Sequence, residues 1–570
     1  MSKPAAAVID PLTDTPKLSS KAQGRNLFLV GFLVLFLELA CIRWFAAYVI
    51  FLQFFTNLVL IACFLGMSCG CLAARRNRDW LARFPMLAVV TFGLAALTFL
   101  IYQYWEGLAI GVGNQASPQQ IFFGTETRNP DVAQFVVPID LIAGTFFVLI
   151  ALLFVGLGQV LGRAFDAYPN RVGGYTLNIG GSLAGIAVFT AVSFLCAPPV
   201  VWMTIGFAGV AYLLYQTGRL TRTHVTALVV LLVAIGILEA PINKDLDRSW
   251  SPYYAVTHTK PSDDITVNTI GHQAMVPFEK SGSVYSLIHL LGEHSGVEQP
   301  KDILIIGAGS GNDVAHALKC TDAKIDAVEI DPQIQKIGAE HHPDRPYDNP
   351  RVTFHNDDGR HFLRTTEKKY DLVVYALVDS LILHSSYANI RLESFLFTKQ
   401  AFEDVRSVLK PDGTFVMYNF FRRGWVVERA TRMIGEVFDG EPLVFSLPHS
   451  DRIDSSDLEG GFTVFVTGDN RRIADALDKK GDFWLNRVPP ENLAVDGFEV
   501  AGSEGNGAGP PNPEKWDRFS PAVVVTSAEP PIATTDDWPF FYLRGPMIPG
   551  LNVRSMLLLG LLGLGMVWWF

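Results

Sequence analysis

The feature that most constrains this chain is a succession of long apolar runs over its first 240 residues. A helix crosses a bilayer with roughly 20 apolar residues. Runs of that order occupy about 27–48, 54–74, 85–105, 138–162, 173–195 and 198–217. Basic residues punctuate them unevenly. Lys17, Lys21 and Arg25 precede the first run, and Arg75, Arg76, Arg78 and Arg83 follow the second. Arg163 and Arg171 follow the fourth, and Arg219 and Arg222 follow the sixth. If every run spans, all of these fall on one side, and such an excess marks the cytosolic side. Residues 26–240 therefore read as a transmembrane domain of six to seven helices. The polar stretch 1–25 reads as a disordered tail rather than a secretory signal. The apolar stretch 553–570 reads as a further transmembrane helix.

One run is ambiguous. Val225–Leu238 has 14 residues between His224 and Glu239, which fits an interfacial helix, a re-entrant segment or a thin seventh span. Six spans put the rest of the chain on the cytosolic side, and seven put it outside.

Two ionisable residues stand inside the first run, Glu38 and Arg43. Charges at such depth pair, snorkel or face a cavity. Asn178, Gly180, Gly181 and Gly185 read as packing residues that let helices approach closely. The cysteines, Cys41, Cys63, Cys69, Cys71, Cys196 and Cys320, form no metal-ligand or disulfide spacing and read as small apolar packing residues. No metal site is expected.

From about residue 241 to 547 the sequence is that of a soluble domain. A net charge of −10 argues against nucleic acid as the main partner. Residues 250–295 read as a β-rich lead-in containing a strand at Ile265–Ile270. Residues 296–475 alternate strand and helix patterns, the mark of a parallel Rossmann-like α/β sheet. Residues 476–545 read as an extension containing a Gly/Pro-rich loop at 501–514.

The chemistry-bearing residues fall at strand ends. The apolar strand 302–306 runs into Gly307-Ala308-Gly309-Ser310-Gly311 and then a helical pattern, where glycines let backbone approach a ligand. Glu329 ends the next strand about 20 residues on, where a ribose diol would lie. Asp358 follows the third strand and Asp379 the fourth. These acids fit a ligand along the carboxyl edge of the sheet, or they cap the following helices.

With GAGSG at 307–311, VEID at 328–331, DDGRHFL at 357–363 and YDLVVYALVDS at 370–380, the chain resembles the spermidine synthase-like superfamily of class I adenosylmethionine-fold transferases. The helices ahead of the domain resemble its membrane-bound bacterial branch, and their number resembles half of a major-facilitator transporter. Ser251-Pro252-Tyr253 resembles the opening of that family's β-rich lid, and the TDDWP segment at 535–539 a closing segment of some members. The resemblance implies that Gly307, Gly309 and Gly311 line the nucleoside, Glu329 holds the ribose and Asp358 reads adenine. The cosubstrate implied is S-adenosylmethionine or its decarboxylated form, which makes a cytosolic domain, and so six spans plus a partial one, the expected arrangement.

The acceptor side departs from the family. Ala376 stands where the first acid after the fourth strand belongs, leaving Asp379 as the candidate catalytic acid, and Ser310 replaces the acid of the glycine loop. Tyr285, with His289 nearby, only loosely matches the polyamine-holding segment. His384 and Tyr387 are candidate bases, and Arg391 with Glu393 a candidate structural pair. The resulting expectation is a membrane-bound transferase moving an aminopropyl or a methyl group to a lipid or small-molecule acceptor. The competing reading is a nucleoside-binding transporter or sensor.

Overall fold

In this computed structural model the residues described are 20–49, 52, 56–105, 107–111, 135–240, 244–281, 283–378, 392–421, 423–447, 449–457, 461–468, 470–480, 520–548 and 550–570. The apolar runs fold as seven helices: α1 (Ser20–Tyr48), α2 (Thr56–Leu72), α3 (Phe84–Tyr104), α4 (Ile139–Ala167), α5 (Arg171–Phe194), α6 (Pro199–Gln216) and α7 (Arg222–Glu239). All seven are long and apolar enough to cross a membrane. The short strands β1 (Leu108–Gly111) and β2 (Phe135–Pro138) pair in parallel between α3 and α4.

The expectation of a partial seventh helix is corrected. The count over Val225–Leu238 omitted polar residues that continue the helix at both ends. Thr221 caps α7 by accepting from His224 N at 3.2 Å. The helix reaches 18 residues, as many as α6, or about 27 Å at 1.5 Å per residue.

Successive helices alternate in direction, so α1 lies parallel to α5, and α2 to α4. Glycines set both contacts. A Cβ on Gly181 would stand 2.0 Å from Phe28 O, and one on Gly185 2.5 Å from Phe32 O. Gly180 meets only the Phe28 ring, at 3.8 Å. The α2–α4 contact, not read from the sequence, is equally close: Cβ atoms on Gly66 and Gly70 would stand 2.0 Å and 2.2 Å from the carbonyls of Ala151 and Val155. The bundle has two unlike ends. At one, basic loops are tied down: Arg219 pairs with Asp79 at 2.8 Å, and Arg163 donates to the carbonyls of Ala74 and Arg76. At the other lie Arg43, Ser193, Trp202 and Glu239, where α7 hands over to the soluble domain. With seven full helices the domain sits at the end opposite the basic loops, not on their side as an even count implied.

The lead-in is a four-stranded antiparallel sheet of β3 (Leu246–Trp250), β4 (Ala255–Thr259), β5 (Asp264–Val267) and β6 (Ile270–Ala274). The strand expected at Ile265–Ile270 is a hairpin instead. Asn268 and Thr269 adopt φ of 48° and 70°, a two-residue turn that reverses the chain. Residues after the sheet form α8 (Ser283–Ser295), whose Leu287 and Leu291 share a core with Ile303 and Ile305 of the next domain.

That domain contains β7 (Asp302–Ile306), α9 (Asn312–Cys320), β8 (Lys324–Glu329), α10 (Pro332–His341), β9 (Val352–Asn356), α11 (Gly359–Thr365), β10 (Tyr370–Ala376), α12 (Lys399–Val408), β11 (Leu409–Phe421), α13 (Gly424–Phe438), β12 (Leu443–Leu447), β13 (Arg452–Asp454), β14 (Gly461–Gly468), α14 (Arg471–Lys480) and β15 (Val523–Val525). The main sheet has the order β12-β14-β11-β10-β7-β8-β9, parallel except for β14 against both its neighbours. This is a Rossmann-like fold. The order reverses between β7 and β10, and a crevice opens at the carboxyl ends of those strands.

Part of the extension, 520–548, packs against α11, α12 and α13. The Gly/Pro-rich loop 501–514 lies outside the described residues. Arg429 of α13, fully buried, donates to the carbonyls of Phe540, Phe541 and Arg544. Asp536, in the segment 535–539, pairs with Arg360 of α11 at 3.1 Å and accepts from Thr398 at 2.7 Å. The last helix, α15 (Gly550–Trp569), returns along the bundle. Ser555 and Arg554 bond Asp140 at the start of α4, and the Phe570 ring packs on Trp80 among the basic loops.

Candidate functional site

The crevice holds a cavity of about 460 Å³ lined by the β7, β8 and β10 ends, the start of α11 and the β5–β6 hairpin. That size suits a nucleoside-scale ligand. The loop after β7 turns through three positive-φ glycines, Gly307, Gly309 and Gly311. Gly307 has φ 76°, and a Cβ there would meet Val378 Cγ1 at 2.9 Å. Gly309 has φ 53°, and a Cβ would meet Gln273 Oε1 at 2.6 Å. Both line the cavity. Gly311, expected beside them, does not: it precedes α9 with its back to Pro346, 2.6 Å from an added Cβ.

Glu329, at the end of β8, is held by the loop it faces. Its carboxylate accepts from Gly309 N and Asp331 N, both at 2.9 Å. Each oxygen keeps acceptor capacity for a ligand hydroxyl. Burial pushes this carboxyl up to about 7 despite the backbone donors. Asp358 caps α11 by accepting from His361 N at 2.9 Å, and it also lines the cavity.

Several wall residues carry no motif in the sequence. Gln273 Oε1 on β6 accepts from Ser310 N at 3.0 Å and Ser310 Oγ at 2.8 Å, fastening the lead-in sheet onto the glycine loop. Asn312 donates to Ala274 O at 2.8 Å and accepts from Val276 N at 3.2 Å. Asp313 is a wall residue hydrogen-bonded by Tyr418 OH, and burial pushes its carboxyl up to about 7. An acid in the first turn of a helix reads as an ordinary dipole partner, so only the fold places Asp313 in the cavity. Tyr285 also lines it, whereas His289 faces a separate small void, where burial lowers its pKa to about 4. Asp331 caps α10 by accepting from Gln333 N at 2.9 Å, and burial raises its pKa.

Beyond β10 the wall continues through Ala376, Leu377 and Val378. Leu377 adopts φ 48°, a strained position of the kind that clusters at binding edges. Asp379, His384, Tyr387 and Arg391 lie outside the described residues, and Glu393 re-enters the cavity wall.

Arg43 ties the cavity to the bundle. It does not form the pair with Glu38 open to it from the sequence. It donates to Ser193 Oγ at 2.7 Å and to the carbonyl of Ser251 at 2.6 Å, stacked on Trp202 at 4.7 Å. Ser251 opens the segment that continues into Tyr253 and Tyr254 on the cavity wall, and its Oγ accepts from both of their backbone N–H groups.

The charge of the wall is one-sided. Among the described residues it includes Asp313, Glu329, Asp331, Asp357, Asp358 and Glu393, and neither Lys nor Arg. A lining of this sign suits a cation better than an anion. At 4 Å and an effective dielectric of about 20, each opposite charge contributes about 4 kcal/mol before desolvation.

Residues 285–448 match the spermine/spermidine synthase domain. A polyamine aminopropyltransferase of Clostridium perfringens is 33% identical over 147 residues, covering 24% of this chain and 48% of that protein. One of Korarchaeum cryptofilum is 30% identical over 151 residues, covering 25% and 43%. The chain thus spans about half the length of the curated relatives it matches. A probable spermidine synthase of Corynebacterium glutamicum, known from its crystal structure, is 15% identical with a TM-score of 0.31, over 48% of this chain and 98% of that one. Residues 285–448 are thus a spermidine synthase-like domain, similar to polyamine aminopropyltransferases over that part of the chain.

Proposed function

We propose that the chain is a membrane-anchored transferase that moves the aminopropyl group of decarboxylated S-adenosylmethionine to an amine bound in the same cavity. The observation that carries this reading is the acidic wall. Decarboxylated adenosylmethionine presents a sulfonium and an ammonium, and a polyamine acceptor adds further cations. Adenosylmethionine itself carries a carboxylate, for which the described wall offers no cation. Methyl transfer from adenosylmethionine is the less favoured reading on that ground. The aminopropyltransferase relatives support the same choice.

In this reading Gly307 and Gly309 let the backbone reach the nucleoside, Glu329 accepts from the ribose hydroxyls and Asp358 accepts from the adenine amine. The acceptor nitrogen attacks the aminopropyl carbon next to sulfur. The C–S bond breaks, its electron pair stays on sulfur, and neutral methylthioadenosine leaves. The sulfonium is already activated, so positioning supplies most of the catalysis. The acceptor must also lose a proton. Asp313, on the wall with Tyr285, and Asp379, which follows Val378 in the chain, are the acids offered for this. Asp313 thereby supplies a carboxylate to a pocket in which Ala376 and Ser310 replace two others. The seven apolar helices and α15 support membrane insertion, with the basic loops on the cytosolic side.

The test uses the purified full chain with decarboxylated adenosylmethionine and a panel of di- and polyamines. Methylthioadenosine is the expected product. Adenosylhomocysteine formed from adenosylmethionine, with no methylthioadenosine from the decarboxylated donor, would overturn the aminopropyl reading.

A further inference from the structure

We propose that the nucleoside cavity opens on the non-cytosolic side of the membrane, so that donor and acceptor are drawn from that compartment and the thioether product is released into it. This rests on the reading that the helices span a membrane.

The first observation is the number and direction of the helices. Seven full-length helices alternate between α1 and the soluble domain. The domain therefore follows the end of α7 that lies across the bundle from the start of α1.

The second is charge. Arg75, Arg163 and Arg219 all stand at one end, where Arg219–Asp79 and Arg163–Ala74 bonds tie the helix ends together. The interhelical connections at the other end are nearly free of cations; Lys244, Arg248, Arg544 and Arg554 stand where the domain joins α7 and α15. Residues 49–55 and 195–198 contain neither Lys nor Arg, and 105–138 contains only Arg128. Short loops with this asymmetry put the basic end in the cytosol.

The third is how the domain is seated. Trp250, the last residue of β3, donates from its indole to Glu239 at the end of α7, at 2.8 Å. Arg43 reaches from α1 to Ser251 at the same end. A re-entrant α7 that left the domain beside the basic loops would break all of these contacts.

The fourth is the return path. α15 begins beside Asp140, at the domain end of α4, and finishes with Phe570 on Trp80, at the basic end. Both helices that bracket the domain thus reach it at the same end of the bundle.

The consequence concerns supply. A sulfonium nucleoside carries fixed charge and does not cross a bilayer unaided. A translocation step for a cationic nucleoside, or an external source of it, must precede this reaction. The thioether product forms on the far side from the cytosolic pool.

The experiment labels the full chain in intact cells with a membrane-impermeant maleimide. The variants are Lys260→Cys, in the exposed turn after β4, and Arg171→Cys, the exposed first residue of α5 at the basic end; wild type sets the background from its own cysteines. Labelling of Lys260→Cys in intact cells, with Arg171→Cys labelled only after lysis, is the expected result. The reverse pattern, or equal labelling of both, would overturn the proposal. Binding of decarboxylated adenosylmethionine to right-side-out and inside-out vesicles gives a second reading that needs no variant. Binding to sealed right-side-out vesicles is expected, and binding confined to sealed inside-out vesicles would contradict it. Loss of binding in both orientations, even after permeabilisation, would instead overturn the nucleoside reading while the labelling still decides the side.

Discussion

The bundle and the α/β domain solve different problems with the same residue type. In the bundle, glycine brings two backbones together: Gly66 and Gly181 each leave room for a carbonyl that a Cβ would meet at 2.0 Å. In the domain, Gly307 and Gly309 turn the chain and open space for a ligand. The first use is steric and spread along whole helices. The second is local and works only with the acids around it. Side-chain changes in the bundle should therefore act on folding, and changes at the cavity on binding.

The largest effect expected is from Gly66→Leu. A side chain driven into the carbonyl of Ala151 overpacks the α2–α4 contact, at a cost of at least 1–3 kcal/mol by the usual range, roughly. Thermal unfolding of the full chain in detergent should show a lowered midpoint for the bundle, with nucleoside affinity kept in the fraction still folded. A variant as stable as wild type would break the distinction between the two uses of glycine.

Next comes Glu329→Ala. It removes the acceptor shared by Gly309 N, Asp331 N and the proposed ribose hydroxyls. Hydrogen bonds to charged groups are worth about 1.5–3 kcal/mol each, so calorimetry should find nucleoside affinity lowered by about 100-fold or more. Unchanged affinity would remove the ribose assignment.

A pH effect follows in size. Burial holds the Glu329 and Asp313 carboxyls up to about 7, so both are largely protonated below that pH. A cationic ligand with donating hydroxyls favours their ionised forms, so binding releases protons. Affinity should therefore fall as pH drops below 7, by about tenfold per pH unit for each proton released, and level off above it. Glu329→Gln should reduce the slope. A flat profile between pH 5.5 and 8.5 would contradict the proposed contact.

Smallest is Arg43→Ala at the junction. It loosens Ser251 and, through it, Tyr253 and Tyr254. Nucleoside affinity should fall by a few-fold, about 1 kcal/mol for a net hydrogen bond, measured by the same calorimetry. No change would mean that bundle and cavity are energetically separate.

Much of this comparison could be read from the sequence, for physical reasons that differ by region. Six helices and the glycine loop announce themselves through long apolar runs and a strand-to-helix turn. Glu329 and Asp358 stand at strand ends, where spacing alone points to the cavity. α7 was undercounted because Arg222, Thr223, His224 and Glu239 are polar yet helical. Gly66 and Gly70 carry meaning only once α2 and α4 are side by side. Gly311 fits the turn pattern but faces Pro346. Asp313 and Gln273 belong to the site through tertiary contacts: Asp313 through the bond from Tyr418, and Gln273 through its bonds from Ser310 of the glycine loop. Nothing local in the chain encodes either contact.

Selection of a donor without a carboxylate by the acidic wall is the proposal on which the rest depends. Calorimetric titration of the full chain with decarboxylated adenosylmethionine and with adenosylmethionine, in the same buffer, tests it most directly. Tighter binding of the decarboxylated donor by about tenfold or more, about 1.4 kcal/mol, is expected. Equal affinity, or a preference for adenosylmethionine, would contradict it.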